Sequence, residues 1–163
     1  PNDVRDQACV LFESAQNEDL FPGRSLEGFA AAAVYAVCRT NGLARTTEEI
    51  TAIAKADHGE LQAAYDAMNR ELGLKTGPID PVDYLPRFAT ELDLGPETEA
   101  DAKRLLESTD AATIGGRNPC GVAAAALYVV TDVENGGPTQ ARAAELAGVT
   151  PVTLRSAARV LAE

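Results

Sequence analysis

The stretch "TQARAAELAGVTPVTLRSAARVL", residues 139–161, holds side chains suited to reading nucleic-acid bases. In its second half Leu154, Ala157, Ala158 and Leu161 recur at i, i+3, i+4 and i+7, so one helical stripe faces a core. Val152, Arg155, Ser156 and Arg159 are left on the opposite face. A guanidinium can donate two hydrogen bonds to the guanine edge, and an aliphatic group can touch a thymine methyl. An outward Val in the first turn beside an outward Arg is odd for a plain surface helix and suits a helix that enters a major groove. The same geometry occurs in helical proteins that never meet DNA, so a surface helix remains the bland alternative.

Other chemistries find little support. His58 is the only histidine and has no Cys or His neighbour in sequence. Cys9, Cys38 and Cys120 match no zinc spacing, and their odd number argues against a disulfide framework. They are expected to be small buried hydrophobes. No paired carboxylates, Ser/His/Asp set or glycine-rich phosphate loop stands out, so no enzyme, metal or cofactor is expected. No 18-residue apolar run exists and no basic-then-apolar leader opens the chain, which predicts no membrane partner and a soluble, intracellular protein. A hydrophobic fraction of 45% over 163 residues allows one ordinary domain or two small ones.

The elements that must position Val152 and Arg155 are well signalled. Gly148 can end one helix in the left-handed conformation. Thr150 can cap the next, and Pro151 suits a first helical position, where its missing N–H costs nothing. Val149 and Leu154 hold the two positions of a hydrophobic staple.

Further back, the chain repeats itself at an offset of 93 residues. "GRSLEGFAAAAVYAVCRTNGLARTTEEITAIAKADHGELQAAYDAMNR" (23–70) aligns without a gap with "GRNPCGVAAAALYVVTDVENGGPTQARAAELAGVTPVTLRSAARVLAE" (116–163). Gly23/Gly116, Arg24/Arg117, Gly28/Gly121, Tyr35/Tyr128, Thr46/Thr139 and Leu61/Leu154 are identical pairs, as are Ala30–Ala33 and Ala123–Ala126. Two copies of one helical unit explain this best. Each copy predicts a very apolar central helix (25–41; 118–133), a short Thr-capped helix (46–55; 139–147) and a closing helix (58–72; 151–162). Amphipathic segments at 3–17 and 96–110 precede the central helices, and a further short helix at 81–92 is interrupted by Pro86. The turn-rich "GLKTGPIDP" (73–81) separates the copies. The expectation is an all-α protein of two helical repeats, four to five helices each.

Charge is unevenly spread. The net charge is −11, with three lysines and eleven arginines among the bases. Dispersed carboxylates with scarce lysine suggest a protein kept hydrated in concentrated salt. Residues 116–163 carry four acids and four arginines, so residues 1–115 hold the whole excess. The candidate reading head is therefore not itself repulsive to phosphate. In the first copy the same equipment is gone: Lys55 stands at the offset position of Gly148, Asp57-His58 at that of Thr150-Pro151, and Gln62 at that of Arg155. A scaffold or partner-binding role is expected there.

Two repeats bearing "GR…AAAA.Y", a Thr-capped short helix after each, and a second repeat ending "AGVT.VTLR" closely resemble the core of archaeal transcription factor B and eukaryotic transcription factor IIB. The resemblance covers essentially the whole chain, and the acidity points to a salt-loving archaeon's version. It implies two cyclin-like repeats, 1–75 (lacking its first helix) and 76–163, that bind the TATA-binding protein on promoter DNA. It implies that the last helix-turn-helix reads the element just upstream of the TATA box. Carried over by motif, Val152 and Arg155 would meet bases, with Arg159 and Arg142 near the backbone; Thr153, Ser156 and Arg117 complete the candidate DNA-binding set. RNA polymerase would be met mainly through N-terminal parts that this chain lacks. A monomer in the archaeal cytoplasm, associated with the nucleoid, is expected. The family's zinc ribbon is absent, and an excised fragment with exposed apolar surface on its first repeat is expected. His58, Gly59 and Ala63 stand where the family places basic residues against the TATA-binding protein. The competing reading is a cyclin-like module that binds only protein.

Overall fold

A computed structural model describes residues 2–131 and 136–163 of the chain. Its described residues form α-helices and one 3-10 turn with no strand, so the protein is all-α. The chain divides into two compact units, Pro1–Pro78 and Ile79–Glu163.

Among the described residues the first unit holds four helices: α1 (Asn2–Asn17), α2 (Leu26–Thr40), α3 (Thr47–Ile53) and α4 (His58–Leu72). The apolar α2 packs against the other three and buries Phe29, Ala32 and Ala36 completely. Gly28 is required at its crossing with α4: a Cβ there would lie 2.7 Å from the Glu60 carbonyl oxygen. Phe12, Phe21 and Phe29 stack in series, with ring centroids 4.9 and 4.8 Å apart. α3 and α4 both start on capping boxes, Thr46/Glu49 and Asp57/Glu60, each satisfying two helix-end N–H groups and contributing about 1 kcal/mol.

The second unit opens on the 3-10 turn Pro81–Tyr84, followed by α5 (Leu85–Glu91), α6 (Pro96–Ser108), α7 (Ala111–Ile114), α8 (Pro119–Val130), α9 (Gln140–Leu146) and α10 (Pro151–Leu161). α8 is the hub, and every residue from Cys120 to Leu127 is buried. It packs against α5, α6, α9, α10 and the 3-10 turn, which is why its apolar residues run all round rather than along one stripe.

The 93-residue offset persists in detailed geometry. Gly23 and Gly116 adopt φ of +73° and +75°, where a Cβ would be strained. The arginine after each donates to the carbonyl four residues back, Arg24 to Leu20 at 2.8 Å and Arg117 to Thr113 at 3.4 Å. Ser25 and Asn118 then cap the central helices by accepting from the Gly28 and Gly121 N–H groups. Thr46 caps 47–53 and Thr139 caps 140–146, the same seven residues in each copy. One contrast stands out. Ala30 and Val34 of α2 are exposed, whereas their counterparts Ala123 and Leu127 of α8 are fully buried. α5 and the 3-10 turn have no counterpart among the described residues of the first unit, and two apolar grooves of about 530 and 370 Å³ flank Ala30 and Val34.

Several expected bounds shift. The helix expected over 118–133 ends at Val130, and its last two positions lie outside the described residues. The segment expected over 96–110 stops at Ser108, and α7 is an additional one-turn helix nucleated by Asp110, whose carboxylate accepts from the Ala112 N–H at 2.9 Å. Four residues are too few to carry a periodicity signal. Among the described residues the second unit therefore has one short helix more than expected. The 81–92 segment is divided beside Pro86, as expected: the 3-10 turn ends at Tyr84 and α5 begins at Leu85, with Pro86 in its first turn, where a missing N–H leaves no bond unmade. Cys38 and Cys120 are buried as expected, but Cys9 is exposed on α1.

Candidate nucleic-acid interface

The candidate face is built on the turn between α9 and α10. Gly148 closes α9 in the left-handed region at φ +63°, and the Gly148 and Val149 N–H groups bond back to the Glu145 and Ala144 carbonyls. Thr150 then caps α10: its hydroxyl accepts from the Thr153 N–H at 3.2 Å, and Pro151 fills the first turn. Val149 is half-buried, and its Cγ1 would lie 3.4 Å from a Cβ at Gly121, so the turn seats directly on α8.

This seating fixes the rotation of α10. Leu154, Ala157, Ala158 and Leu161 are buried against the unit's core. Val152 is 64% exposed, an apolar side chain in water with nothing beneath its outer face. Arg155 and Arg159 are exposed, and neither has a hydrogen bond or ion pair among the described residues. Two unpaired guanidiniums beside an exposed aliphatic group are what the periodicity anticipates for this face.

Arg117, Val152, Thr153 and Ser156 meet around one groove of about 380 Å³. The Arg117 Nη1 donates to the Ser156 hydroxyl at 3.0 Å while its Nε holds the Thr113 carbonyl. Ser156 is consequently half-buried rather than fully outward. Thr153 is exposed, and its hydroxyl shares a hydrogen bond of 2.9 Å with that of Thr150. Sequence reasoning missed Gly116 and Asn118, which also line the groove. Their signal was the Gly-Arg-Asn-Pro start of the repeat, read there only as part of the repeat pattern. The first turns of α8 and α10 both open onto this groove, so two helix N-termini add partial positive charge beside Arg117.

Arg142 stands apart. It lies exposed in the first turn of α9 and donates to the Glu91 carbonyl at 3.3 Å, which ties α9 to the end of α5. No group of His, Cys, Asp or Glu among the described residues is arranged to hold a metal, and no helix among them is long and apolar enough to cross a membrane.

A two-repeat, all-α, cyclin-like architecture with a C-terminal helix-turn-helix is therefore the class this fold defines. The family description "Transcription factor TFIIB repeat" matches residues 1–71 and 74–163. A transcription initiation factor IIB 1 of Halobacterium salinarum is 54% identical over 94% of this chain and 54% of its own length. A transcription initiation factor IIB of Archaeoglobus fulgidus is 43% identical over 100% of this chain and 50% of its own. One of Methanococcus maripaludis is 42% identical, again over 100% of this chain and 48% of its own. The chain belongs to the transcription factor TFIIB family, a family of transcription factors rather than enzymes. It spans about half the length of the curated relatives it matches.

Proposed function

We propose that the chain is the promoter-binding core of a general transcription initiation factor. It docks on the TATA-binding protein–DNA complex, and α10 enters the major groove just upstream of the TATA box. The observation that carries this reading is the pairing of an exposed Val152 with an unpaired, exposed Arg155 in the first turns of α10. Val152 meets a thymine methyl and Arg155 a guanine edge, the bidentate arginine contact giving about 1–3 kcal/mol of discrimination. Arg159 and Arg117, with the N-termini of α8 and α10, meet the phosphate backbone. Thr153 and Ser156 line the same face, and Arg142 approaches the backbone from α9.

The acidity of the whole is compatible with this. The excess of negative charge lies in residues 1–115, and salt at molar strength screens charge beyond about 3 Å. High salt also weakens counterion-release binding steeply, so affinity rests on base contacts, shape and the protein partner. The first repeat supplies that partner contact. Ile53 is 89% exposed at the end of α3, close in sequence to His58 and Gly59 at the start of α4, which favours apolar packing over a basic patch against the TATA-binding protein. RNA polymerase is met through other parts of the whole factor.

The test is a gel shift with TATA-binding protein at high salt, on promoter DNA with intact and scrambled upstream elements. Arg155→Ala is expected to reduce the difference between the two DNAs. Equal loss of binding on both would contradict base reading and favour a module that binds only protein.

A further inference from the structure

The chain leaving α4 is held in place by a cluster that the second repeat does not possess. Arg39, half-buried in the last turn of α2, lies over the rings of Tyr35 and Tyr65, its guanidinium carbon 6.0 and 5.9 Å from their centroids. Its Nη1 donates to the Tyr65 hydroxyl at 2.8 Å, and its Nη2 donates to the Gly77 carbonyl. The Tyr65 hydroxyl also shares a hydrogen bond of 3.0 Å with the Thr76 hydroxyl. Leu74 packs on the first unit's core just before these residues. Two aromatic rings, a forked cation and two linker residues thus form one connected polar network against an apolar floor. The first unit ends at Pro78, and Asp80 already caps the 3-10 turn of the second. At the 93-residue offset the second repeat carries Asp132 and Ala158 in place of Arg39 and Tyr65, so the repeat's own architecture does not demand this cluster.

We propose that Arg39 and Tyr65 are positioning residues for promoter binding, acting through the linker they tie down. With Thr76 and Gly77 fixed, the free chain joining the two repeats is only residues 78 and 79. Released, it runs from about residue 75. A tether this short makes the second repeat's binding effectively intramolecular once the first is docked, and lengthening it dilutes that advantage. The functional half of this inference rests on the proposed promoter reading; the tie itself does not.

Two readouts on the whole chain test it. The first is the rate of tryptic cleavage between Lys75 and Thr76, followed by mass spectrometry; Lys75 is exposed. Tyr65→Phe keeps the ring and loses only the bridging hydroxyl. It removes the hydroxyl's bonds to both Arg39 and Thr76 and is expected to speed that cut about fivefold, as losing the one direct hydrogen bond to the linker should, with Arg39→Ala faster still and both variants still melting as cooperative helical folds. The second is gel-shift affinity on promoter DNA with TATA-binding protein, expected to fall about three- to fivefold in both variants while upstream-element discrimination stays intact. An unchanged cleavage rate in both variants overturns the tie. Faster cleavage with unchanged affinity overturns the positioning role. If the unsubstituted chain gives no shift at all, the promoter reading and the positioning role fall together, and the cleavage comparison still decides the tie.

Discussion

The Arg117 guanidinium donates to the Ser156 hydroxyl at 3.0 Å, joining the residue two before α8 to the exposed side of α10. Its repeat counterpart Arg24 also bonds a carbonyl four residues back, but the position offset from Ser156 is Ala63, which has no hydroxyl to offer. Arg117 therefore has two roles: it closes the turn before its central helix, as Arg24 does, and it is additionally held beside α10. Ser156→Ala should free the Nη1 end without removing the backbone bond to Thr113. Promoter affinity should fall by about 0.5–1.5 kcal/mol, the net value of one hydrogen bond, equally on intact and scrambled upstream elements. Gel-shift titrations on the two DNAs measure this.

Arg155 and Arg159 should separate by the kind of loss they cause. Both are exposed and unpaired among the described residues, so replacing either with Ala leaves no buried partner stranded and should change stability by less than about 0.5 kcal/mol. Arg155→Ala should cost about 1–3 kcal/mol of base discrimination. Arg159→Ala should weaken binding to all sequences alike and reduce the salt-dependence slope by about 1. Affinity measured across a salt series on both DNAs distinguishes the two patterns.

The glycines at the base of the two central helices should tolerate a methyl differently. At Gly28 it would meet the Glu60 carbonyl oxygen at 2.7 Å, backbone that cannot step aside without moving α4. At Gly121 it would meet the Val149 Cγ1 at 3.4 Å, an ordinary contact. Gly28→Ala should destabilise by about 1–3 kcal/mol, the cost of overpacking, and Gly121→Ala by markedly less. Denaturant unfolding of the two variants gives the comparison, and equal losses would contradict the α2–α4 crossing described above.

Salt should stabilise this protein. With 25 acidic against 14 basic residues, the folded state concentrates like charges on its surface. Screening by molar KCl relieves that repulsion, so the melting temperature should rise from dilute buffer to molar KCl. A flat or falling trend would argue against salt adaptation as the reason for the acidity.

High pH should do the opposite through Cys38. Burial pushes its thiol above the ordinary range, with Glu49 adding to the shift and Arg45 opposing it. The folded state therefore holds this proton more tightly than the unfolded chain does. The resulting stability is complete below the ordinary thiol range and is lost as pH rises through the raised folded value. Cys38→Ala should flatten the fall in melting temperature across that range, and an alkylating reagent should reach exposed Cys9 well before Cys38.

Much of this architecture was legible in the residues because it depends on local rules. Thr46, Thr139, Asp57 and Thr150 announce helix starts through their own side-chain chemistry, and Gly148 announces a left-handed stop. The 3.6-residue period fixed which side of α10 faces inward, leaving Val152 and Arg155 outside. The all-α class and the 93-residue repeat needed nothing beyond the sequence. Tertiary structure alone decided what is held by distant partners. That Arg117 meets Ser156 across 39 residues, that Arg142 is turned toward Glu91, and that Arg39 and Tyr65 grip Thr76 and Gly77 follow from how helices pack rather than from any neighbour in the chain. Periodicity reports which side of a helix is apolar; only packing against the next helix determines which polar groups come within about 3 Å of one another.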